Sequence, residues 1–277
     1  MPKSNTLDIP HVTTTDHFIR KPISPDVKKA AKQFIGLFAI NEKNPAREVI
    51  AQAYINQFEK FDNNPMLLDS AMKYVDDKNS SSINKNIDML VNLQFNKKNY
   101  AKILSYVSIV GKDVLLNQEN SIFKKSFDNK NAWTLYRIGE SYSNSNKTED
   151  AFLFYNRATE LAPYDLEFQN KKGTALAALG KTKEAQKVFE FIVKEDPKFA
   201  AALSNYGYTF LQMNDLKTAE IYFDKALAMD PDFELALLNK AGILLYRKEN
   251  AAAKKILLHV LKKNPNNEKA KAILTEI

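Results

Sequence analysis

The chain contains no cysteine, which removes disulfides, thiolate metal sites, cysteine nucleophiles and covalent c-type haem attachment within these 277 residues. Glycine is scarce, at 7 residues, too few for the turns of a large β protein, and the scarcity favours helices. No apolar run approaches the roughly 20 residues of a membrane-spanning helix; the longest greasy stretch, residues 34–40, is short and contains Gly36. No phosphate-cradling glycine loop and no His-Glu-x-x-His string occur. The N-terminus lacks a charged region followed by an apolar core, so it reads as no secretory signal. The expectation is a cytoplasmic protein or, if the export signal lies on a longer parent, an exported one.

What is present is apolar and basic. Hydrophobic residues make up 44% of the chain, enough for a sizeable core, and the net charge is +7. The lysines come singly or in pairs such as Lys28–Lys29 and Lys97–Lys98, with no dense cluster interleaved with aromatics. That distribution reads as solvated helix faces and gives no expectation of a nucleic-acid partner.

Self-similarity decides the fold. In steps of 34 residues, Gly139, Gly173 and Gly207 recur, completed by Ala241. Ala151, Ala185, Ala219 and Ala253 form a second column, and Tyr155, Phe189, Phe223 and Leu257 a third. Ala158, Ile192, Ala226 and Val260 form a fourth, and Pro163, Pro197, Pro231 and Pro265 a fifth. Proline is about 5% of residues on average, so three further prolines in register arise by chance about once in ten thousand sequences. Small residues midway along the first helix and early in the second let helix axes approach to about 8–10 Å. Asn146, Gly180 and Asn214 stand where a left-handed residue ends each first helix; Lys248 breaks that pattern, and a less regular fourth turn is expected. Proline stops each second helix.

Before the repeats the register blurs. Ser24–Pro25, Asn44–Pro45 and Asn64–Pro65 each pair a capping residue with a proline at the first helical position. Helices are expected near 26–40, 45–61, 65–77, 83–96 and 99–110, with another between 114 and 127 and a loop over 79–82. The division that follows is an extended arm (1–24), degenerate helical repeats (25–130), four regular repeats (131–267) and a partial capping helix (268–277). Residues 25–130 could instead form a separate helical bundle.

The columns, with strings such as "LYRIGESY" and "EDAFLFYNRATELAP", resemble the tetratricopeptide repeat family over about residues 132–267. The departures are Lys172 and Lys240 in the usual leucine column and Ala241 for glycine. The resemblance implies an all-α, right-handed α-solenoid of antiparallel helix pairs. It also implies a protein-interaction scaffold, not an enzyme, with a peptide or partner domain lying along the concave face of the first helices. The corresponding positions are Trp133, Tyr136, Arg137 and Glu140 in the first repeat and Asn170, Lys171 and Thr174 in the second. Ser204, Asn205, Tyr208 and Gln212 follow in the third, and Leu238, Asn239 and Tyr246 in the fourth. Asn205 and Asn239 stand in a column where family members grip a ligand's backbone, which suits an amide that both donates and accepts. The basic set that clamps a C-terminal carboxylate is not apparent. Trp133 could be groove-exposed or packed under the preceding helix.

The arm carries a second resemblance. Met1–Pro2–Lys3–Ser4, Asp8–Ile9–Pro10–His11–Val12 and Thr15–Asp16–His17 are similar to a segment of multihaem c-type cytochromes that follows a Cys-x-x-Cys-His site and often precedes tetratricopeptide repeats. It implies that a longer parent would be an exported electron-transfer protein, with His11 or His17 as axial ligand to a haem held upstream. For this chain alone no cofactor and no metal site are expected. His259, within "KKILLHVLKK", reads as a helix-face residue.

Overall fold

The structure is a computed structural model that describes residues 44–117 and 129–277. The described residues belong to one compact unit, Asn44–Ile277. They form helices and no strand. The first six are α1 (Arg47–Lys60), α2 (Pro65–Met72), α3 (Ser80–Lys85), α4 (Ile87–Asn96), α5 (Tyr100–Val110) and α6 (Lys112–Leu116). Four hairpins follow. They are α7 (Asn129–Ser143) with α8 (Thr148–Leu161), α9 (Leu166–Ala178) with α10 (Thr182–Glu195), α11 (Ala200–Gln212) with α12 (Leu216–Met229), and α13 (Glu234–Tyr246) with α14 (Asn250–Lys263). A short α15 (Glu268–Thr275) ends the chain. Each helix packs on its hairpin partner and on the next hairpin, which is the nearest-neighbour stacking of an α-solenoid.

The repeat columns are the core. Ala151, Ala185, Ala219 and Ala253 are buried, as are Tyr155, Phe189, Phe223 and Leu257 and the column from Ala158 to Val260. The glycines allow the close approach. A methyl group added at Gly139 would lie 2.7 Å from Tyr155 Cδ1, one at Gly173 2.7 Å from Phe189 Cε1, and one at Gly207 2.9 Å from Phe223 Cε1. In the fourth repeat the methyl is present, as Ala241, and the facing side chain is the smaller Leu257; both are buried.

The turns are more uniform than the sequence implies. Asn146, Gly180 and Asn214 take positive φ (57°, 74° and 63°), and Lys248 does the same at 63°. Each hairpin closes with the same bond, from the amide one residue further on to a carbonyl in the last turn of the first helix: Lys147 N to Tyr142 O at 3.0 Å, and Glu249 N to Leu244 O at 2.9 Å. The expected irregular turn at Lys248 is therefore not found. The hairpin contacts impose the left-handed conformation, and lysine bears its cost. Lys248→Gly removes that strain, and we expect it to raise the unfolding free energy by about 0.5–1 kcal/mol in urea titrations.

The same turn occurs earlier. Lys98 has φ 56°, and Asn99 N donates to Gln94 O at 2.8 Å, so α4 and α5 form a hairpin of the repeat type. Val91, Ile103 and Val107, all buried, stand where the regular repeats carry a small residue, a second small residue and an aromatic ring. Buried Tyr106 donates its hydroxyl to Asp77 at 2.9 Å. Burial would raise the Asp77 carboxyl, but the Tyr106 hydroxyl and the Lys102 ammonium outweigh it and hold the group below its ordinary value.

Four expectations in this half are corrected. The helix expected from residue 45 begins at Arg47, after Ala46, whose carbonyl accepts the first helical bonds; Asn44 does not cap it. The run 79–82 is not a loop: the Asn79 side chain accepts from Ser81 N and starts α3. The helices expected over 65–77 and 83–96 are broken, the first ending at Met72 and the second divided at Asn86. Asn64 does cap α2, with Pro65 at its first position. The arm and the expected helix over 26–40 lie outside the described residues, as does most of 114–127.

Candidate functional site

The helical repeat sets which residues of the first helices look outward. Tyr136, Asn170, Ser204 and Leu238 share one register and are all buried, so the expectation that they line an open groove is corrected for these four. One residue turns a helix by about 100°, enough to rotate this register from the open face into the contact with neighbouring helices. Tyr136 stacks on Phe168 of the next repeat, ring centroids 5.0 Å apart. Leu238 joins the core formed by Ala241, Leu257 and Val260.

The next register, Arg137, Lys171, Asn205 and Asn239, is half-buried. Its first two members are engaged in ion pairs: Arg137 with Glu59 at 3.9 Å and Lys171 with Glu140 at 3.0 Å. Burial pulls the Arg137 guanidinium below its ordinary value, and the Glu59 carboxylate opposes the shift. Glu140 also accepts from the buried Tyr155 hydroxyl, which burial and this bond push above the ordinary phenol range. The Asn205 amide donates to Asn170 Oδ1 at 2.9 Å and to Thr174 Oγ1 at 3.2 Å, tying the third repeat to the second. Asn205 is thereby left as an acceptor, not the donor and acceptor expected of it.

Thr174, Asn205, Tyr208 and Gln212 come together around a depression of about 240 Å³ also bordered by Ala177, Ala178 and Phe189. Gln212 is held by a bond to Ala177 O at 3.2 Å. Of these apolar residues Phe189 belongs to a column singled out from the sequence, whereas Ala177 and Ala178 do not. Ala178 falls in the register of Gln212 and Tyr246, so that column was the available signal. Tyr208 (42%) and Tyr246 (72%) stand exposed on the first helices. Trp133 is 39% exposed, edge-on to Phe168 at 4.8 Å, with the Arg137 guanidinium 5.5 Å from its centroid. It is thus both packed and accessible. Arg137 lines a separate cavity of about 360 Å³ with Gln52, Asp88, Asn92 and Lys130. Leu238, Asn239 and Tyr246 do not border the depression.

The face therefore changes along its length, from ion-paired charge in the first repeat to neutral amides, hydroxyls and exposed tyrosines in the third and fourth. Among the described residues no group of three or more His, Cys, Asp or Glu is arranged to hold a metal ion. No helix there is long and apolar enough to cross a membrane. His11 and His17 lie outside the described residues.

Comparison with known proteins gives three matches to family models described as tetratricopeptide repeat, over residues 134–165, 170–234 and 211–277. Human DnaJ homolog subfamily C member 7 is 30% identical over 172 residues, which is 57% of this chain and 35% of that protein. Human protein O-mannosyl-transferase TMTC3 is 24% identical over 162 residues, 53% of this chain and 18% of that protein. The chain thus spans a minor part of these curated relatives. Among solved structures, Pseudomonas aeruginosa PilF superposes with a TM-score of 0.55 at 13% identity, over 84% of this chain and 98% of that one. YrrB, described as a tetratricopeptide protein with an unusual peptide-binding site, gives 0.51 at 21% identity, over 70% and 90%.

Proposed function

Because the chain belongs to the tetratricopeptide repeat family and serves as a protein-interaction scaffold, we propose that it binds an extended segment of a partner polypeptide along its first helices, centred on the second and third repeats. The observation that carries this reading is the depression bordered by Thr174, Asn205, Tyr208 and Gln212 together with the apolar Ala177, Ala178 and Phe189. It takes one apolar side chain of the segment, while Asn205 Oδ1 accepts from a backbone amide. Asn239, whose side chain makes no hydrogen bond among the described residues, both donates and accepts one repeat further on. Tyr208 and Tyr246 supply rigid aromatic area, the usual source of binding energy in such contacts. A peptide-binding site in YrrB, a protein of the same fold, supports the reading.

The Arg137, Glu140 and Lys171 charges of this face are already paired, so recognition here rests on backbone and aromatic contacts, and affinity should change little with salt. Peptides selected against the full chain from a random displayed library provide the test. Tyr208→Ala, at an exposed position, should leave stability within about 0.5 kcal/mol. It should weaken the selected peptides at least about tenfold, roughly 1.4 kcal/mol of binding, in fluorescence anisotropy. Unchanged affinity in Tyr208→Ala and in Asn239→Ala would remove the site from this face.

A further inference from the structure

The flank of each hairpin, away from the face just described, is built from one set of registers, and the repeats differ there. In the third repeat Tyr206, Phe210 and Tyr222 pack ring on ring, with centroids 4.6 to 5.6 Å apart, and the Lys225 ammonium sits 4.6 Å from the Tyr222 centroid. In the first repeat Ile138, Tyr142 and Phe154 occupy the same registers, the two rings stacked at 5.3 Å. In the second and fourth repeats the leading position is lysine, Lys172 or Lys240, and both flanks are open. The second has a pocket of about 390 Å³ bordered by Gln169, Lys187, Val188 and Phe191. The fourth has one of about 470 Å³ bordered by Leu237, Lys240, Leu244, Lys255, Ile256 and His259. The equivalents of the third repeat's three rings are Lys240, Leu244 and Ile256. In the second repeat Phe191 puts a ring of the chain's own at the pocket edge; the fourth has His259 there.

The helix that forms one wall of the fourth pocket is basic. Helix α14 carries Lys254, Lys255, Lys262 and Lys263 and no acidic residue. Lys240 is paired with Asp224, while His259 and Lys263 share Asp232, at 2.8 and 2.7 Å. Lys255, at the lip, has no acidic partner among the described residues, and neither do Lys254 and Lys262. An apolar pocket whose equivalents in the first and third repeats hold aromatic rings, edged by the unpaired Lys255 with Lys254 and Lys262 on the same helix, calls for a ring flanked by carboxylates.

We propose that the flank of the fourth repeat is a second docking site, separate from the first-helix face. Its occupant is a partner segment that inserts one aromatic side chain between Leu244 and Ile256 and sets neighbouring Asp or Glu residues against Lys255 and the other lysines of α14. The inserted ring takes the place that Tyr222 has in the third repeat, with His259 over it where Lys225 lies over Tyr222. Unlike the tyrosine-rich face, this site depends on charge and weakens as salt rises.

The test uses the full chain and a fluorescein-labelled peptide Glu-Asp-Glu-Phe-Leu-Asp-Glu, read by anisotropy. The peptide with alanine for phenylalanine and the peptide with lysine for every acidic residue should each bind at least tenfold more weakly. Lys240→Tyr/Leu244→Phe/Ile256→Tyr, which installs the third repeat's own filling, should also cost at least tenfold, with helicity by circular dichroism unchanged. Ile256→Tyr and Lys255→Glu, each alone, give the same reading if the triple change impairs folding. Tyr208→Ala should not alter binding of this peptide, so failure here and failure of the first-helix reading are distinguishable. The proposal is overturned if the filled variants bind as the parent does, if the alanine peptide matches the phenylalanine peptide, or if Tyr208→Ala abolishes binding. Tighter binding to phosphatidylserine vesicles than to the peptide would also overturn it, because the lysines would then serve a membrane surface.

Discussion

Phe223→Ala is expected to lower the unfolding free energy by about 3–5 kcal/mol, the range for removing a fully buried ring. The side chain has no exposure. It lies against Gly207 in its own hairpin and forms one core with Leu203, Ala219, Ala226, Ala236 and Ile243, so it ties α11 and α12 to α13. Alanine leaves a cavity that the small neighbours cannot close, because those neighbours are what brought the helices together. In a stacked array stability is a sum of repeat and interface terms, so the loss is local in origin. Amide exchange should accelerate in α11 to α15 before α7 to α10. A shift in the urea midpoint equivalent to less than about 1 kcal/mol, or uniform acceleration along the chain, would mean that the Phe223 column does not hold the hairpins together.

That column was readable because its chemistry is forced. Two helices approach closely only where one offers a small side chain, and the ring that fills the remaining space must recur at the same spacing. The turn at Lys248 was not readable, because lysine has no local preference for the left-handed region; the flanking helices impose it. Both helices of the α4–α5 pair are expected from the sequence, but their repeat register is hidden for two reasons. Lys98 does not lie a multiple of 34 residues before Asn146, and Val91, Ile103 and Val107 replace the small and aromatic residues that make the pattern visible. Within the candidate site the sequence names two adjacent registers of the first helices, and the structure buries one of them. Tyr136, Asn170, Ser204 and Leu238 follow the same sequence logic as Arg137, Lys171, Asn205 and Asn239, and only packing against adjacent helices separates the two sets. The hydrogen bonds of Asn205 are also tertiary, since they depend on Asn170 and Thr174 of another repeat. The flank pockets could not be read from one repeat. They emerge when Tyr206 is compared with Lys172 and Lys240 in three dimensions.

Gly173→Val should cost about 3 kcal/mol, at the upper end for overpacking. The first added carbon alone would lie 2.7 Å from Cε1 and 2.8 Å from Cζ of Phe189, closer than real side-chain contacts come, so the ring or the helix must shift. Gly173→Ala is a closer contest. Alanine gains about 1 kcal/mol in helix propensity over glycine, yet its methyl meets the same ring atoms. The fourth repeat carries the compatible pair, Ala241 facing Leu257, both fully buried in the same registers. Transplanting that pair, Gly173→Ala with Phe189→Leu, lets the shorter side chain vacate the space that the methyl enters. We expect the double variant to be more stable than the sum of the single changes by about 1–2 kcal/mol, measured as a double-mutant cycle in urea. If the two effects simply add, glycine at this register is not selected by the ring opposite. The spacing of the helix pairs would then be set by the alanines of the second helices, Ala151, Ala185, Ala219 and Ala253, with glycine only tolerated.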